Sequence, residues 1–458
     1  MARGKKVAQG LTPEEKLAQA LVPVEEQPYP IPENWCWAYL DKIYCVNPKN
    51  DVEEDADAAF IPMEKISAGM QNDYTFEIQP WKKAKKGHTQ FADGDVAFAK
   101  ISPCFENRKS MVAENLPNGV GGGTTELIIL RQPKILSKYT FWLISDENFI
   151  QGGKNTYSGT VGQQRISMDY VRNYRIPLPP LAEQQRLVDR IESIFAKLDE
   201  AKEKAQAVVD GFELRKSAVL HKAFTGELTA KWREKHGLTL DSWERETSTQ
   251  LFSYVTSGSR GWAQYYSDSG SVFIRMGNLD HGTVELDMED IQYVNLPSKA
   301  EGQRSKLQKN DILISITADI GMIGLVRNAD QDMYINQHIA LARPTEENNA
   351  EFIAWYLVSD VGLKQMQSKQ RGATKIGLGL DDIRNLKLLM PQVNEQAEIV
   401  HILNGRLAKE TAAKEAAASI LDQIDTMKKA VLARAFRGEL GTNDPAEESA
   451  VELLKKML

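Results

Sequence analysis

Residues 168–228 and 380–440 are one segment written twice. Met168-Asp169-Tyr170-Val171-Arg172-Asn173 aligns with Leu380-Asp381-Asp382-Ile383-Arg384-Asn385, and Pro179, Glu183 and Gln184 then fall on Pro391, Glu395 and Gln396 without a gap. At the far end Ala223-Phe224-Thr225-Gly226-Glu227-Leu228 meets Ala435-Phe436-Arg437-Gly438-Glu439-Leu440. The offset is 212 throughout and 23 of the 61 paired positions are identical, so the chain is internally duplicated. What one half folds into, the other folds into as well. A chain built this way does one thing at two places.

The repeated segment begins with a short strand-like run, Tyr174-Arg175-Ile176-Pro177-Leu178, and prolines punctuate it. A helix is predicted from Leu181, with Glu183 in its first turn where the helix dipole favours an acid. Leu187, Ile191, Ile194, Leu198, Ala201, Ala205, Val208 and Phe212 then alternate spacings of four and three, a seam of coiled-coil type. Gly226 is the expected stop, giving a helix of about 40 residues and about 60 Å. The second copy carries Ile399, Leu403, Ala413, Ala417, Ile420, Ile424, Met427 and Val431, interrupted by Arg406 and Glu410. The expectation is that the two helices pack on each other, antiparallel, with the alanines letting the backbones approach. Periodicity marks a buried stripe and not its partner, so docking on its own domain or on a separate protein is the other way to bury it.

Before each helix lies a block of mixed pattern. Strand-like runs include Asp95–Ile101, Glu126–Leu130, Asp311–Ile316 and Ile339–Ala342. Trp35 and Trp243 open the blocks, and Trp142-Leu143-Ile144-Ser145-Asp146 echoes Trp355-Tyr356-Leu357-Val358-Ser359-Asp360. Elsewhere they differ widely. The expected organisation is a helical arm (1–29), a mixed α/β block (30–180), a long helix (181–235), a second block (236–391), a second long helix (392–440) and a helical tail (441–458). That is an α+β class with a pseudo-two-fold repeat.

No stretch approaches the roughly 20 apolar residues a membrane helix needs. Cys36, Cys45 and Cys104 are odd in number and confined to the first half, which argues for a reducing cytoplasm over a disulfide framework. Catalytic patterns are missing too. There is no phosphate loop and no Asn-Pro-Pro-Tyr or Asn-Pro-Pro-Phe run of the kind amino-methyltransferases carry, and the six histidines pair with no ligand at metal spacing. Pro13-Glu14-Glu15-Lys16 reads as the solvated face of a short helix, and Gly119-Val120-Gly121-Gly122-Gly123 as a loop.

What remains suits binding. The densest basic run is Lys82, Lys83, Lys85 and Lys86, followed by His88. Lys100, Asn107, Arg108 and Lys109 form a second cluster, and Gln163, Gln164 and Arg165 a third just before the first repeat. The equivalent place in the second half holds Lys369, Arg371, Thr374 and Lys375, while Ser257, Arg260, Arg275 and Asn278 add groups that pair with base edges. Each cluster alone is explained better by a solvated loop; their recurrence in both halves puts a surface that binds nucleic acid on an equal footing with that reading. The net charge of −7 opposes that reading.

Two variable blocks alternating with two helices, the first entered through Pro177-Leu178-Pro179-Pro180-Leu181-Ala182-Glu183-Gln184-Gln185 and left through Ala223-Phe224-Thr225-Gly226-Glu227-Leu228, resemble the DNA-specificity subunit of Type I restriction–modification systems. Phe91–Asn107 resembles one type of target recognition domain in that family. The second entry, Pro391-Gln392-Val393-Asn394-Glu395-Gln396, departs from the pattern by having a single proline. The resemblance implies a non-catalytic chain with two target recognition domains, each reading half of a bipartite double-stranded DNA target, while the helices set the spacer. It also implies two methyltransferase subunits carrying S-adenosylmethionine and two restriction subunits using ATP and magnesium, with no cofactor on this chain and no membrane. Basic loops facing the duplex, with partners sharing phosphate neutralisation, would answer the charge objection. A structural adaptor and a fused restriction–methylation enzyme are the other classes; DNA binding by the purified complex discriminates the first, and methyl transfer by the isolated chain the second.

Overall fold

A computed structural model of the chain describes residues 11–160, 162–297, 302–369 and 377–458. The chain divides into two compact units, Met1–Lys204 with Ile420–Leu458, and Ala205–Ser419. Both cuts fall inside the long helices, so each unit owns a piece of both.

The strands of the first unit are β1 (Cys36–Tyr39), β2 (Cys45–Val46), β3 (Asp57–Ile61), β4 (Glu77–Pro80), β5 (Thr89–Ala92), β6 (Val96–Ala99), β7 (Ser110–Val112), β8 (Val120–Gly123), β9 (Leu127–Arg131) and β10 (Arg175–Leu178). They form sheets ordered β1-β10, β2-β9-β6-β7 and β4-β3-β8-β5. The second unit has β11 (Glu244–Thr247), β12 (Phe252–Ser257), β13 (Tyr266–Ser267), β14 (Ser271–Ile274), β15 (Gln292–Val294), β16 (Ile312–Ser315), β17 (Ile323–Leu325), β18 (Met333–Ile335), β19 (Ile339–Pro344) and β20 (Lys387–Met390). Its orders are β11-β20, β12-β19-β16-β17 and β13-β15-β14-β18. The first two sheets match strand for strand. In the third, β3 runs parallel to β8 as β14 does to β18, but the added edge strand differs. The first unit adds β5 beside β8; among the described residues the second has an isolated bridge there, Lys306 to Tyr334, and adds β13 beside β15.

The apolar runs that lack alternation are sheet centres covered on both faces. Val96, Phe98, Ile128 and Leu130 point into one core, and Ala97, Leu127 and Ile129 into another, as a period of two requires. Ile312, Ile314, Ala340 and Ala342 against Leu313, Ile339 and Leu341 repeat the arrangement.

Within the first unit the start of the helix Leu181–Asp210 and the end of the helix Val393–Ala435 enter one core through Leu187, Ile191 and Phe195 and through Leu432, Ala435 and Phe436. Lys428 Nζ meets Asp199 Oδ1, and further along Thr442 reaches Glu183, so the segments run antiparallel. In the second unit Leu220, Ala223 and Phe224 meet Ile399, Val400 and Leu403, with Arg215 Nε on Glu410 Oε2 at 2.6 Å, again antiparallel.

Three expectations change. The first helix is not continuous: it ends at Asp210 and restarts as Phe212–Phe224, because Gly211 is a poor helix former and Arg215 Nη2 takes the carbonyl of Val208 at 2.7 Å. The seam of the second helix is also displaced. Ala413 is exposed, Ile420 is 46% exposed and Met427 50%. Ile399, Leu403, Ala417 and Ile424 of the expected seam are buried, and the stripe then continues through Lys428 and Leu432 in place of Met427 and Val431. Lys428 lays its stem along the stripe with its ammonium 5.0 Å from the centre of the Phe195 ring, a place apolar periodicity does not register. In the first helix Leu187, Ile191, Ala205 and Phe212 are buried, whereas Ile194, Leu198, Ala201 and Val208 are half-buried and Phe195 takes the central place. Third, the glycine cluster is not a loop but strand β8. A Cβ on Gly122 would sit 2.1 Å from the Ala84 carbonyl oxygen, and one on Gly121 2.3 Å from the Phe91 ring, so close packing on both sides requires glycine.

The repeated Glu-Gln pair acquires a reason. Gln184 accepts from Leu136 N at 3.0 Å and donates to Pro179 O at 3.1 Å; Gln396 accepts from Asn349 N at 3.0 Å and donates to Pro391 O at 2.8 Å. Glu183 accepts from Thr442 Oγ1 and Arg186 Nη2, and Glu395 from Thr229 Oγ1, Arg233 Nη1 and Trp243 Nε1. Each start of a long helix is thus latched, through fully buried side chains, to the chain leaving the other helix. The short helix Pro13–Ala20 is exposed apart from Ala20 and Leu17 and is capped by Thr12 and Glu15.

Candidate nucleic-acid interface

Corresponding ends of the two main sheets each gather three stretches that are remote in sequence. In the first unit Lys100 N donates to Glu126 O, Ile166 N to Lys100 O and Ser102 N to Gln164 O, at 2.8–3.0 Å. This joins the Lys100–Lys109 loop to the Gln163–Arg165 cluster. In the second unit Ile316 N donates to His338 O and Leu378 N to Ile316 O, both at 2.9 Å, and Thr317 bridges Gly377. The same framework therefore brings the segment ahead of each repeat onto the loop that leaves the central strand.

The chemistry at the two ends differs. Arg165 grips Glu126 with both arms, Nε on Oε2 at 2.9 Å and Nη2 on Oε1 at 2.7 Å. Those bonds hold the Glu126 carboxyl below its ordinary range, and the pair raises Arg165 in turn. Asn107 and Gln163 are exposed beside it; Lys100 and Gln164 are half-buried. In the second unit the place of Glu126 is taken by His338, whose Nδ1 is 2.6 Å from Thr317 Oγ1 and whose Nε2 is 2.7 Å from Gln337 Nε2. Lys369 ends the helix Asp360–Ser368 and is half-buried, while Arg371, Thr374 and Lys375 lie outside the described residues.

Several candidates have structural work instead. Arg108, 11% exposed, donates to Ser145 O at 2.9 Å and pairs with Glu147. Lys109 donates to Met63 O. Asn278, 3% exposed, accepts from Arg275 N and donates to Asp287 O and Asp290 O, closing a turn. Arg275 pairs with Asp290 at 3.0 Å. The basic run is half spent: Trp81–Ala84 is a helical turn with Trp81 and Ala84 buried, Lys82 pairs with Asp55 and Lys85 with Glu54, and the bond from Asp55 raises the Lys82 ammonium above its usual value. His88 lies half-buried against Ala84 O and Phe60. Lys83 and Lys86 stay exposed.

Arg304, Lys306 and Gln337 were not singled out from the sequence. The fold sets Arg304 and Gln337 with Ser257 and Arg260 around one polar recess. Isolated cations drawn from separate stretches carry no local motif, so only the fold could reveal them.

With this geometry in hand, the family described as Type I restriction modification DNA specificity domain matches residues 46–209 and 266–422. The specificity subunit of the Type I restriction enzyme EcoAI of Escherichia coli is 39% identical over 192 residues, 41% of this chain and 33% of that one. The match thus spans only a third of that relative. The EcoBI specificity subunit, also of Escherichia coli, is 28% identical over 438 residues, covering 87% of this chain and 91% of the relative. Among solved structures, the HsdS subunit of Thermoanaerobacter tengcongensis superposes with a TM-score of 0.69 at 18% identity, over 91% of this chain and all of that one, which shows a shared fold.

Proposed function

The chain belongs to the Type I restriction–modification DNA specificity family, and on that premise we propose that it selects the DNA sequence on which a restriction–modification complex acts, each unit reading one half of a bipartite target. The observation that carries this reading is one framework used twice with different chemistry at equivalent sheet ends: Glu126 with Arg165 in one unit, Thr317 with His338 and Gln337 in the other. Two readers of one kind, differing where bases would be met, are what an asymmetric target needs.

The chain itself supplies no catalysis in this reading. Two methyltransferase subunits bring S-adenosylmethionine and adenine methylation, and two restriction subunits bring ATP, magnesium and cleavage. The long helices set the unread spacer. Among the described residues no helix is long and apolar enough to cross a membrane, and a DNA target agrees with work in the cytoplasm. Methylome sequencing of cells with and without the gene tests the reading: a bipartite motif that vanishes with the gene is expected, and an unchanged methylome overturns it. Methyl transfer by the purified chain alone would overturn the non-catalytic part. A heptad inserted after Ala205 adds about 10 Å and should lengthen the spacer in whole base-pair steps. Unchanged spacing with full methylation would show that the helices do not set it.

A further inference from the structure

Two arginine–carboxylate pairs of the first unit fare differently in the second. Arg131 on Asp95 recurs as Arg343 on Asp311. Arg165 on Glu126 does not: 212 positions on stand Gly377 and His338. The backbone there is nevertheless the same, since Gly377 is bridged to Thr317 as Arg165 is to Ile101. One framework thus closes this sheet end with and without the pair, so the pair is not what holds that end together.

Both partners stand on pinned backbone. Arg165 N donates to Ser158 O at 2.9 Å and Ser158 N to Arg165 O at 3.1 Å. On either side Ser102 N donates to Gln164 O at 2.8 Å and Ile166 N to Lys100 O at 3.0 Å, while Glu126 O accepts from Lys100 N at 2.8 Å. The carboxylate fills one edge of the guanidinium, taking Nε at 2.9 Å and Nη2 at 2.7 Å, and Gln163 O takes Nη1 at 3.0 Å. Three of the five N–H bonds are committed in this way; among the described residues the other two, one on each terminal nitrogen, have no acceptor. The Arg165 side chain is 43% exposed, with Asn107 and Gln163 exposed beside it.

We propose that Arg165 reads a guanine in the major groove, giving its two remaining donors to N7 and O6, and that Glu126 is the positioning residue that sets the plane of the guanidinium. The assignment rests on the chain's being a DNA reader and names one base of the half-site that the first unit meets. Guanine carries two neighbouring acceptors on its major-groove edge, which a planar fork meets together. A phosphate contact depends on charge, and the Glu126 carboxylate cancels that of Arg165. A base contact depends on direction, which the two-armed pair and the pinned backbone supply. Gly377 has no side chain with which the second unit could do the same.

The test uses the full chain assembled with its methyltransferase subunits. Methylome sequencing should give a wild-type motif with a guanine in at least one half-site. Arg165→Ala should lower discrimination at one guanine by about tenfold to a hundredfold, measured with duplexes carrying each other base there, and leave the other half-site unchanged. Glu126→Ala should relax the same guanine to a smaller extent, a single-base effect that a merely structural role would not produce. The double variant Arg165→Ala/Glu126→Ala keeps the net charge, so the log–log salt slope of its affinity should match the wild type's, whereas a lost phosphate contact would remove about 0.9. Should Arg165→Ala give no methylation, Arg165→Lys, which keeps a cation for Glu126 without the planar fork, should still relax that guanine. A wild-type motif without guanine, undiminished guanine preference in the variants, or a slope reduced by about 0.9 overturns the assignment. A wild-type complex that prefers no sequence would instead overturn the DNA-reader premise.

Discussion

The first unit closes one end of its main sheet with an ion pair, Arg165 on Glu126; the second closes the corresponding end with a hydroxyl, an imidazole and an amide, those of Thr317, His338 and Gln337. Behind these edges the units agree in detail. Asp95 and Asp311, 1% and 0% exposed, each take a two-armed arginine, Arg131 and Arg343, and each accepts a backbone N–H from three residues earlier. Buried charges must be paired wherever the framework is used, so they persist. Groups at the sheet ends carry no such constraint and are free to diverge.

The latches offer the strongest way to break that parallel, because they resemble each other but differ in burial. Arg233 is 8% exposed beside Glu395, whereas Arg186 beside Glu183 is 36% exposed and keeps a second acid, Glu447. Glu395→Ala should therefore cost about 3–5 kcal/mol by stranding a buried guanidinium. Glu183→Ala should cost only about 1–2 kcal/mol. Denaturant unfolding of the two variants checks this; equal losses would mean exposure does not govern the difference. The framework pairs sharpen the parallel from the other side. Asp95→Asn and Asp311→Asn should each cost about 2–3 kcal/mol, because the same charge-assisted bonds are weakened in both. Values differing by more than about 2 kcal/mol would show that the second copy does not use the pair as the first does.

A smaller effect distinguishes the edges by pH. The bonds from Arg165 hold Glu126 below the ordinary glutamate range. A carboxyl lowered on folding adds stability that is fully present above its unfolded pKa and is lost as pH falls through the lowered value. Wild type should therefore lose stability on acidification below about pH 4.5 more steeply than Glu126→Gln, and the two should have parallel pH profiles near neutrality. Parallel profiles throughout would mean the pair is not formed in solution. The smallest expected change is at the basic run. With Lys82 and Lys85 already on Asp55 and Glu54, replacing both by alanine should alter DNA affinity of the complex by about twofold or less at physiological salt. A tenfold loss would show that DNA displaces those acids.

Much of this was legible in the chain. The Glu-Gln repeat, the doubled helix exits and the runs that became β6 and β16 are patterns of neighbours, and neighbours are what a sequence displays. The buried stripe of the second helix leaves the apolar pattern at Met427 because it runs through Lys428, whose stem is apolar though its head is charged. The glycines of β8 read as a loop in the sequence because their reason lies in Phe91 and Ala84, residues remote in the chain.

By itself the sequence determined that the chain has two equivalent halves, where each long helix begins and which strands are sheet centres, since these follow from repetition and periodicity along the backbone. Which cations remain available was decided only in three dimensions. Arg108, Arg165 and Lys82 met acids 27 to 39 positions distant, while Lys83 and Lys86 stayed exposed. A charge is neutralised by whatever folding brings within a few ångströms of it, and that depends on tertiary contacts that no local pattern encodes.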